Sequence, residues 1–465
     1  MLFSSLVFLW YFLPIICLLY YIIPGVGRRN FLLLTASLFF YAWGEPKYVV
    51  LMIISIAINY GFGILIFKKP KPLFLWLCVG VNLALLGYYK YFNLGIWAVN
   101  KAAGRALLEE WDIALPIGIS FYTFQALSYV LDVYRGDIKA QRNPWNLALY
   151  ISFFPQLIAG PIVKYHDIER QLAKRSHSWT KAAYGIKRFT FGLGKKVIFA
   201  NAFGSVVDDM LSRRIYYMNT KLAGFVILLY AMQIYYDFSG YSDMAIGLGK
   251  LFGFDFMENF NYPYLSKSVR EFWRRWHISL STWFKEYVYI PLGGSRRGAL
   301  RTYVNLFVVF MVTGLWHGAG ANFVLWGMYY GVFIVAERLF LGKLLEKNPF
   351  PLLNHIYTMA VVLSGWVLFR VEKLRDLKNI CGVLFLGVGG PFSISMFMDT
   401  RIFVLLALAL MLCGPLQALC PKLKDWLYRE DQVGAADVAA MAGILSICLV
   451  LLVCNTYNPF IYFRF

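Results

Sequence analysis

The sequence predicts an all-α protein that crosses a membrane many times. Of its 465 residues, 60% are hydrophobic and only 15% are charged, and the mean hydropathy is +0.58. A soluble domain averages about 45–50% apolar and about 25% charged residues. One core cannot hide so much apolar surface, so the chain needs lipid around it. At about 20 residues per span, its length allows roughly ten or eleven transmembrane helices.

Apolar runs extend along the whole chain, beginning at its N-terminus. The segment Met1–Pro24 has no basic residue, and Arg28 and Arg29 follow it, which predicts a retained first helix rather than a cleaved signal peptide. By the positive-inside rule, these charges place the N-terminus outside. Several later runs are short or interrupted by Gly or Pro, and we expect these to be re-entrant or interfacial.

The formal net charge of +20 fits basic loops that face anionic lipid headgroups. No basic tail stands apart from the apolar runs, so we expect membrane lipid and no nucleic acid as a partner. The cysteines lie in or beside apolar segments, form no CxxC pair and predict neither a disulfide frame nor a metal site. They are Cys17, Cys78, Cys381, Cys413, Cys420, Cys448 and Cys454.

Hydropathy drops in the central segment 255–302, where Pro263 and Pro291 bracket one predicted helix. Two stripes of side chains recur on it at spacings of three and four. The first stripe is aromatic and apolar and consists of Trp273, Trp276, Leu280, Trp283 and Tyr287. The second is polar and consists of Arg270, Arg274, His277 and Ser281. Such a helix turns its aromatic face to lipid or to other helices and its polar face to a wet cavity.

His317 is the strongest candidate for a catalytic residue. It lies in a stretch with no Asp, Glu, Lys or Arg between Arg301 and Glu337, and an ionisable residue at membrane depth is a functional hypothesis by default. Gly314, Gly318 and Gly320 surround it and allow close backbone approach. Burial favours neutral imidazole, as a general base requires. A hydrogen-bonded packing histidine is the alternative.

His277 is the second candidate, either to position the acyl donor or to orient His317; an interfacial histidine is equally consistent with its place. Arg270, Arg274 and Arg275 suit phosphate groups of a donor, because guanidinium forks match phosphate. Snorkelling basic side chains are the alternative for them. The remaining tentative donor- or substrate-binding residues around these histidines are Trp276, Ser281, Trp316 and Asn322.

Three further polar residues, Asp237, Asp243 and Gln156, lie in apolar surroundings and are also tentative donor- or substrate-binding residues. Asp237 and Asp243 need partners or water at such depth; they either orient a histidine, pair with arginines, or form a structural ion pair. Gln156 lies beside Pro155 and near Gly160, and this predicts either a kink that lines a cavity or plain helix packing. His166, His177 and His355 lie in polar loops or at the edge of a span, and the sequence points to no role for them.

Standard motifs for other chemistries are absent from the sequence. It has no GxSxG elbow, no HExxH pair and no Walker A loop, and two separated histidines predict no zinc site. What remains is acyl transfer in which His317 takes the proton of an attacking hydroxyl. Candidates for stabilising the oxyanion are Trp or Asn side chains and backbone N–H groups near 314–322. A transporter of lipid-linked saccharide and a non-catalytic scaffold are the alternatives.

The same segments carry a resemblance to a known family. The most specific are EFWRRWHISLSTWFKEYVYIPLGG and GLWHGAGANFVLWG, and others include FFYAWGEPKY, FFPQLIAGPIVKY, YYDFSGYSDMAIG and the ending NPFIYFRF. They cover nearly the whole chain, which resembles the membrane-bound O-acyltransferase (MBOAT) family and most closely its bacterial alginate O-acetylation branch. We therefore predict one domain over 1–465, with a catalytic core at about 113–342.

The resemblance implies a ring of about eleven helices around a central tunnel, with His317 and His277 at the positions of the family's two characteristic histidines. It implies no tightly bound cofactor and a cytoplasmic donor, either acetyl-CoA or an acyl-carrier thioester. It also implies a partner with an SGNH-type domain outside a bacterial cytoplasmic membrane, and a polysaccharide acceptor. Acetyl is favoured over the D-alanyl group of the teichoic-acid relatives; the acceptor polymer stays open among alginate, cellulose, peptidoglycan and other exopolysaccharides.

Overall fold

The computed structural model describes residues 1–213, 215–387, 389–396 and 399–461. The regular secondary structure of these residues is helical. They contain no β-strand, only an isolated bridge between Met218 and Phe392. The all-α prediction is confirmed for this part of the chain. The last four letters of the NPFIYFRF ending lie outside it.

Seven helices in the described residues are long and apolar enough to cross a membrane. They are Tyr48–Lys68, Pro72–Ala103, Thr220–Leu251, Ala299–His317, Ala321–Lys347, Pro351–Arg370 and Ala435–Cys454. The sequence predicted ten or eleven. The other apolar runs form shorter helices, such as Phe8–Ile22 and Thr400–Leu412, and the run at 145–163 is broken at Phe153, just before Pro155.

The chain divides into two compact units that interleave along the sequence. The first unit comprises 1–186 and 245–257, and the second comprises 187–244 and 258–465. The first eight α-helices belong to the first unit. They are α1 (Leu13–Ile22), α2 (Val26–Gly44), α3 (Tyr48–Lys68), α4 (Pro72–Ala103), α5 (Ile119–Arg135), α6 (Pro144–Ser152), α7 (Phe154–Leu157) and α8 (Tyr165–Ala173).

Two long helices, α9 (Trp179–Gly194) and α11 (Thr220–Leu251), contribute residues to both units. The remaining α-helices belong to the second unit. They are α10 (Asn201–Arg213), α12 (Val269–Arg275), α13 (Ile278–Phe284), α14 (Ala299–His317), α15 (Ala321–Ala336), α16 (Gly342–Lys347), α17 (Pro351–Arg370), α18 (Leu374–Phe385), α19 (Thr400–Leu412), α20 (Pro415–Leu419), α21 (Pro421–Tyr428) and α22 (Ala435–Cys454). Single π-helical turns extend several of these, and one at Glu337–Leu341 joins α15 to α16.

The prediction of a single helix between Pro263 and Pro291 is wrong. The segment forms α12 and α13, separated by a bend at Trp276 and His277, and continues as a π-helical turn at Lys285–Tyr289. His277 has φ +45° and ψ +54°, a left-handed conformation that costs an L-residue about 1–2 kcal/mol. The bend turns His277 away from the polar stripe that the helical spacing predicted.

Helices α14 and α15 pack as a close antiparallel hairpin because glycines face each other at their crossing. An added Cβ on Gly314 would lie 2.3 Å from the carbonyl oxygen of Phe323, and one on Gly327 would lie 2.5 Å from the carbonyl oxygen of Phe310. Backbone occupies the space that a side chain would need. This hairpin holds His317 at the end of α14, opposite the start of α15.

The polar loop predicted around His166 is instead helical, since α8 begins at Tyr165. Its Nδ1 lies 2.9 Å from Oδ2 of the buried Asp132, and its Nε2 lies 3.2 Å from Oδ1 of Asp167. Hydrogen bonds to these carboxylates, Asp132 first, raise the pKa of His166 to about 10. The histidine is therefore an ion-pair partner that ties α8 to α5 within the first unit.

Candidate active site

His317 closes α14 and is 6% exposed. Aromatic rings pack around its imidazole: the ring centroids of Trp316, Trp326 and Phe369 lie 4.8, 5.1 and 5.1 Å away. Trp326 comes from α15 and Phe369 from the end of α17. The three helices thus surround the His317 imidazole with aromatic rings.

His277 lies at the bend between α12 and α13 and is 1% exposed. Its ring stands edge-on to Phe238 at a centroid distance of 4.5 Å, and its Nδ1 lies 3.2 Å from Oδ1 of Asn259. The backbone N–H of Ser279 also donates to that Oδ1, at 3.1 Å. An unusual backbone conformation held by such contacts is typical of functional sites.

The contact with Asn259 fixes which nitrogen of His277 carries the proton. Because the backbone N–H of Ser279 is a donor, the Asn259 atom that it meets must be the carbonyl oxygen, and His277 Nδ1 must donate to it. Burial lowers the pKa of His277, which lies outside the candidate spans, to about 3. The imidazole is therefore neutral, with a lone pair on Nε2 that has no hydrogen-bond partner in the described residues.

Trp316 connects the two histidines. Its ring centroid lies 6.4 Å from that of His277 and 4.8 Å from that of His317. The two histidines predicted from sequence, 40 residues apart, are thus brought to one aromatic cluster. Their catalytic roles stay a prediction.

Basic side chains line a cavity of about 290 Å³ beside this cluster. Its basic residues are Arg270, Arg274, Lys285 and Arg338, its lining contains no acidic residue, and Ser281 also faces it. None of the four basic side chains forms an ion pair in the described part of the chain. Arg275 is different, because it pairs with Glu271 at 2.8 Å.

The cavity approaches His317 along two lines of contact. Its lining includes Thr313, one helical turn before His317 on α14, and Trp273. The Trp273 ring lies 5.5 Å from that of Trp326, which in turn packs on His317. An aromatic layer therefore separates the basic cavity from the imidazole.

Two other predicted residues take positions that pack the site. Trp276 is buried and lies against Trp366, with ring centroids 4.8 Å apart, and it does not line the basic cavity. Asn322 is fully buried and donates through Nδ2 to the carbonyl oxygens of Leu368 and Phe369, at 3.4 and 3.3 Å. Its amide thereby holds Phe369 against His317.

The two buried aspartates form ion pairs with basic residues of the second unit. Asp237 lies 2.7 Å from Lys196 Nζ and accepts a hydrogen bond from the backbone N–H of Ile461. Asp243 lies 2.6 Å from both Arg188 Nη2 and Lys195 Nζ. Both aspartates therefore have the charged partners that the sequence required, and their tentative role in donor or substrate binding stays a prediction.

Gln156 lies in the first unit and is fully buried. It follows the break between α6 and α7, and its Nε2 donates to the carbonyl oxygen of Tyr150 at 2.5 Å. The predicted kink is present at Phe153. The bond satisfies a backbone carbonyl that the broken helix leaves without its usual partner.

The sequence analysis did not identify three residues of the site, Asn259, Trp326 and Phe369. Asn259 lies in the NFNYPY segment, and only the fold shows that its amide holds the bend at His277. Trp326 and Phe369 belong to ordinary apolar helices and gave no pattern beyond hydrophobicity. The indole N–H of Trp326 is buried with no partner in the described residues. The described residues also contain no cluster of three or more potential metal ligands.

Comparison with known proteins identifies the family of this chain. The family model for MBOAT, the membrane-bound O-acyltransferase family, matches residues 139–374, which include both histidines. The chain belongs to this family. MBOAT membership makes it an O-acyltransferase and a multi-pass membrane protein, and confirms the predicted enzyme class.

Curated relatives within the family differ in what their names say they modify. A probable alginate O-acetylase of Pseudomonas putida is 45% identical over 83% of this chain and 80% of its own length. A peptidoglycan O-acetyltransferase of Helicobacter pylori is 32% identical over 100% of this chain and 98% of its own. A teichoic acid D-alanyltransferase of Bacillus subtilis is 30% identical over 48% and 59%. The resemblance inferred from the motifs is thereby confirmed.

Proposed function

We propose that this MBOAT protein transfers an acetyl group from a cytoplasmic thioester donor toward an exported polysaccharide. Two relatives with broad coverage of the chain are named as O-acetylases or O-acetyltransferases of alginate and peptidoglycan. The D-alanyl alternative has support from a relative that matches less than half of the chain. The relative with 45% identity is named for alginate. The relative that aligns over the whole of this chain is named for peptidoglycan.

The observation that carries the proposal is the place of His317. Its buried imidazole lies one helical turn beyond Thr313, which lines a cavity whose four basic residues form no ion pair with any described residue. A phosphate-bearing donor carries negative charge, and a cavity with four cations and no anion attracts it. Arg270 and Arg274 would hold the donor phosphates, and Ser281 lies beside them.

The distribution of basic residues supports a cytoplasmic donor. The segments 285–301, 338–347 and 421–431 together contain ten Lys and Arg residues. The segments 370–401 and 455–461 together contain five. The proposal takes α19, which is shorter than the seven candidate spans, as a further crossing, and it then assigns the first group of segments to one side of the membrane and the second group to the other. The positive-inside rule makes the first side cytoplasmic. Lys285 and Arg338, which line the basic cavity, belong to the first group, and this supports entry of the donor from that side.

The proposed chemistry uses the imidazole of His317 as a general base. His317 accepts the proton of an acceptor hydroxyl while the hydroxyl oxygen attacks the thioester carbonyl carbon. As the tetrahedral intermediate collapses, the carbon–sulfur bond breaks and the thiol leaves with the proton that the imidazolium returns. The oxyanion in between needs donors, and the Trp326 indole N–H, buried beside His317, supports this role for Trp326.

Further parts of the proposal rest on the family resemblance. We expect about eleven membrane helices around a tunnel, in a bacterial cytoplasmic membrane. We expect the acceptor hydroxyl to arrive from outside, through a partner with an SGNH-type domain. No tightly bound cofactor is required, since the donor thioester carries the acyl group.

The test identifies the transferred group and its acceptor together. A deletion strain and its complemented counterpart would be compared for ester-linked groups on each exported polysaccharide, by base release followed by mass spectrometry. Acetate that appears on one polymer only after complementation supports the proposal and names the acceptor. Ester-linked D-alanine in its place would establish the teichoic-acid type of reaction, and unchanged esters on every polymer would overturn both.

The donor cavity has its own test. Arg274→Gln and Arg338→Gln should each raise the donor concentration needed for half-maximal transfer in membrane vesicles by about tenfold, since hydrogen bonds to charged groups contribute roughly 1.5–3 kcal/mol. Arg297→Gln is the matched control, because Arg297 is exposed near the same end of α14 without lining the cavity. Equal donor dependence in all three variants would contradict the assignment.

A further inference from the structure

Glu337 lies where α15 passes into its π-helical turn, a kind of turn that is frequent at functional sites. Its side chain is 2% exposed, and its carboxylate meets the start of α12. Oε1 accepts a hydrogen bond from the backbone N–H of Val269 at 2.7 Å, and Oε2 accepts one from the backbone N–H of Arg270 at 2.9 Å. One carboxylate thus binds two consecutive N–H groups of another helix.

These two bonds complete the first turn of α12. The N–H groups at the start of a helix have no partner inside the helix. The third of them, that of Glu271, donates to Oγ of the N-cap residue Ser268 at 3.0 Å, while Glu337 accepts from the two before it. A carboxylate suits this place because it offers two acceptor oxygens and no donor.

The helix that Glu337 holds carries part of the wall of the basic cavity. Arg270 and Arg274 line the cavity, as does Arg338, the residue after Glu337. Trp273 lines it as well and packs on Tyr330 of α15, with ring centroids 5.0 Å apart. Apolar packing is non-directional, whereas hydrogen bonds have defined lengths and angles. The carboxylate therefore sets the register of α12 against α15.

We propose that Glu337 is a positioning residue of the donor site. Its carboxylate fixes the first turn of α12 so that Arg270 and Arg274 face the cavity together with Arg338. Glu337 does not itself line the cavity, so it acts through the arginines. The inference rests on the proposed function, because it takes the basic cavity as the donor site.

The charge of Glu337 and its hydrogen bonds predict opposite effects of Glu337→Gln on an anionic ligand. Loss of a negative charge beside four basic residues would by itself strengthen anion binding. Glutamine, however, presents an NH2 group in place of one carboxylate oxygen, so one N–H group of α12 would meet a donor. The helix would shift and turn its arginines out of the cavity wall. Weaker anion binding therefore reports positioning.

The test measures binding of coenzyme A, which carries phosphate groups, to full-length protein in nanodiscs by calorimetry. Arg274→Gln and Glu337→Gln should each weaken this binding by about tenfold. The double variant should lose clearly less than the product of the two factors, because residues that act on the same contact are not additive. A residue that only stabilised the fold would leave the affinity of the folded protein unchanged.

A control and a second variant accompany this comparison. Glu346→Gln makes the same chemical change at an exposed residue of α16 that does not line the cavity, and it should bind coenzyme A as the wild type does. Val269→Pro removes the N–H group that donates to Oε1 of Glu337 without any change of charge. Proline is accepted at the first position of a helix, and Ser268 before it is already extended, with φ −153° and ψ +158°. This variant should also weaken binding.

The outcomes separate the inference from the donor site on which it rests. If Arg274→Gln weakened binding but Glu337→Gln and Val269→Pro did not, or if the losses in the double variant multiplied, the positioning role would be overturned and the donor site would stand. If the wild type bound no coenzyme A, or if Arg274→Gln left its binding unchanged, the donor site would be overturned and the inference with it.

Discussion

The Nδ1 of His277 donates to Oδ1 of Asn259 across 3.2 Å, and this contact holds a residue whose backbone is left-handed. Ser279 adds two further hydrogen bonds to the same oxygen, from its backbone N–H at 3.1 Å and from its Oγ at 2.9 Å. Asn259 is in turn fixed by its Nδ2, which donates to Ser242 Oγ at 3.0 Å. The bend between α12 and α13 is therefore specified by one buried amide.

Backbone strain and chemistry at His277 can be separated by two substitutions. Glycine adopts φ +45° without a steric penalty whereas alanine does not. His277→Gly should therefore be more stable than His277→Ala by about 1 kcal/mol, yet both should lose acyl transfer. Thermal midpoints in detergent and ester-linked acetate on the polysaccharide provide the two readouts. Retained transfer in the glycine variant would show that the imidazole does no more than hold the bend.

The α14–α15 hairpin should not tolerate a side chain at Gly314. Its Cβ would lie 2.3 Å from the backbone oxygen of Phe323, and backbone cannot move aside as a flexible side chain does, so Gly314→Ala should cost at least the roughly 1–3 kcal/mol of overpacking. Gly224→Ala in α11 is the matched control, because no atom lies within 4 Å of its added Cβ. Equal membrane levels and thermal midpoints for the two variants would contradict the close crossing.

The ion pair between Lys187 and Asp437 holds the start of α22. Its atoms lie 2.7 Å apart and both side chains are at most 1% exposed. Removing one partner leaves a buried charge, so Asp437→Ala should destabilise the protein by about 3–5 kcal/mol. The double variant Lys187→Met with Asp437→Leu should recover most of that loss. The single variants Lys187→Met and Asp437→Leu would be measured as well. If the double variant lowered the thermal midpoint by the sum of their two decreases, the charges would not be coupled.

The pH dependence of stability should reveal His166. The folded pKa of about 10 is raised above the unfolded value of about 6.5, so the ion pair stabilises the fold fully below pH 6.5. That contribution is lost as pH rises from 6.5 through 10. The difference in thermal midpoint between wild type and His166→Gln should therefore be larger at pH 6 than at pH 10. A difference that does not vary with pH would contradict the pairing with Asp132 and Asp167.

The sequence was sufficient to predict the class of fold, and it singled out two histidines that the structure brings to one aromatic cluster. High hydropathy indicates membrane helices, and an ionisable His317 within an uncharged run stands out against it. The requirement that Asp237 and Asp243 have partners was equally local. Which partners they take was not, because Lys196, Arg188 and Lys195 approach from another helix.

The bend at His277 could not be predicted, since WRRWHIS contains neither Gly nor Pro and its spacing suits a helix. The bend exists because Asn259, 18 residues earlier, offers a better set of hydrogen bonds than the helix would. The contacts of Trp326 and Phe369 with His317 could not be predicted either, because an aromatic residue in an apolar helix has the same local pattern whether it faces lipid or His317. Hydropathy alone did not show the break at Phe153, whereas Pro155 and Gly160 in the same segment indicated a kink.

The central claim is that His317 performs the proton transfer, and one comparison tests it most directly. Ester-linked acetate would be measured on the exported polysaccharide of deletion strains complemented with wild type, His317→Ala or His355→Ala, at equal membrane levels. His355 is the matched control, a second-unit histidine whose Nδ1 lies 3.1 Å from the carbonyl oxygen of Ser266. We predict wild-type acetate with His355→Ala and a loss of about 10²-fold or more with His317→Ala. Undiminished acetate in a normally expressed His317→Ala strain would contradict the claim.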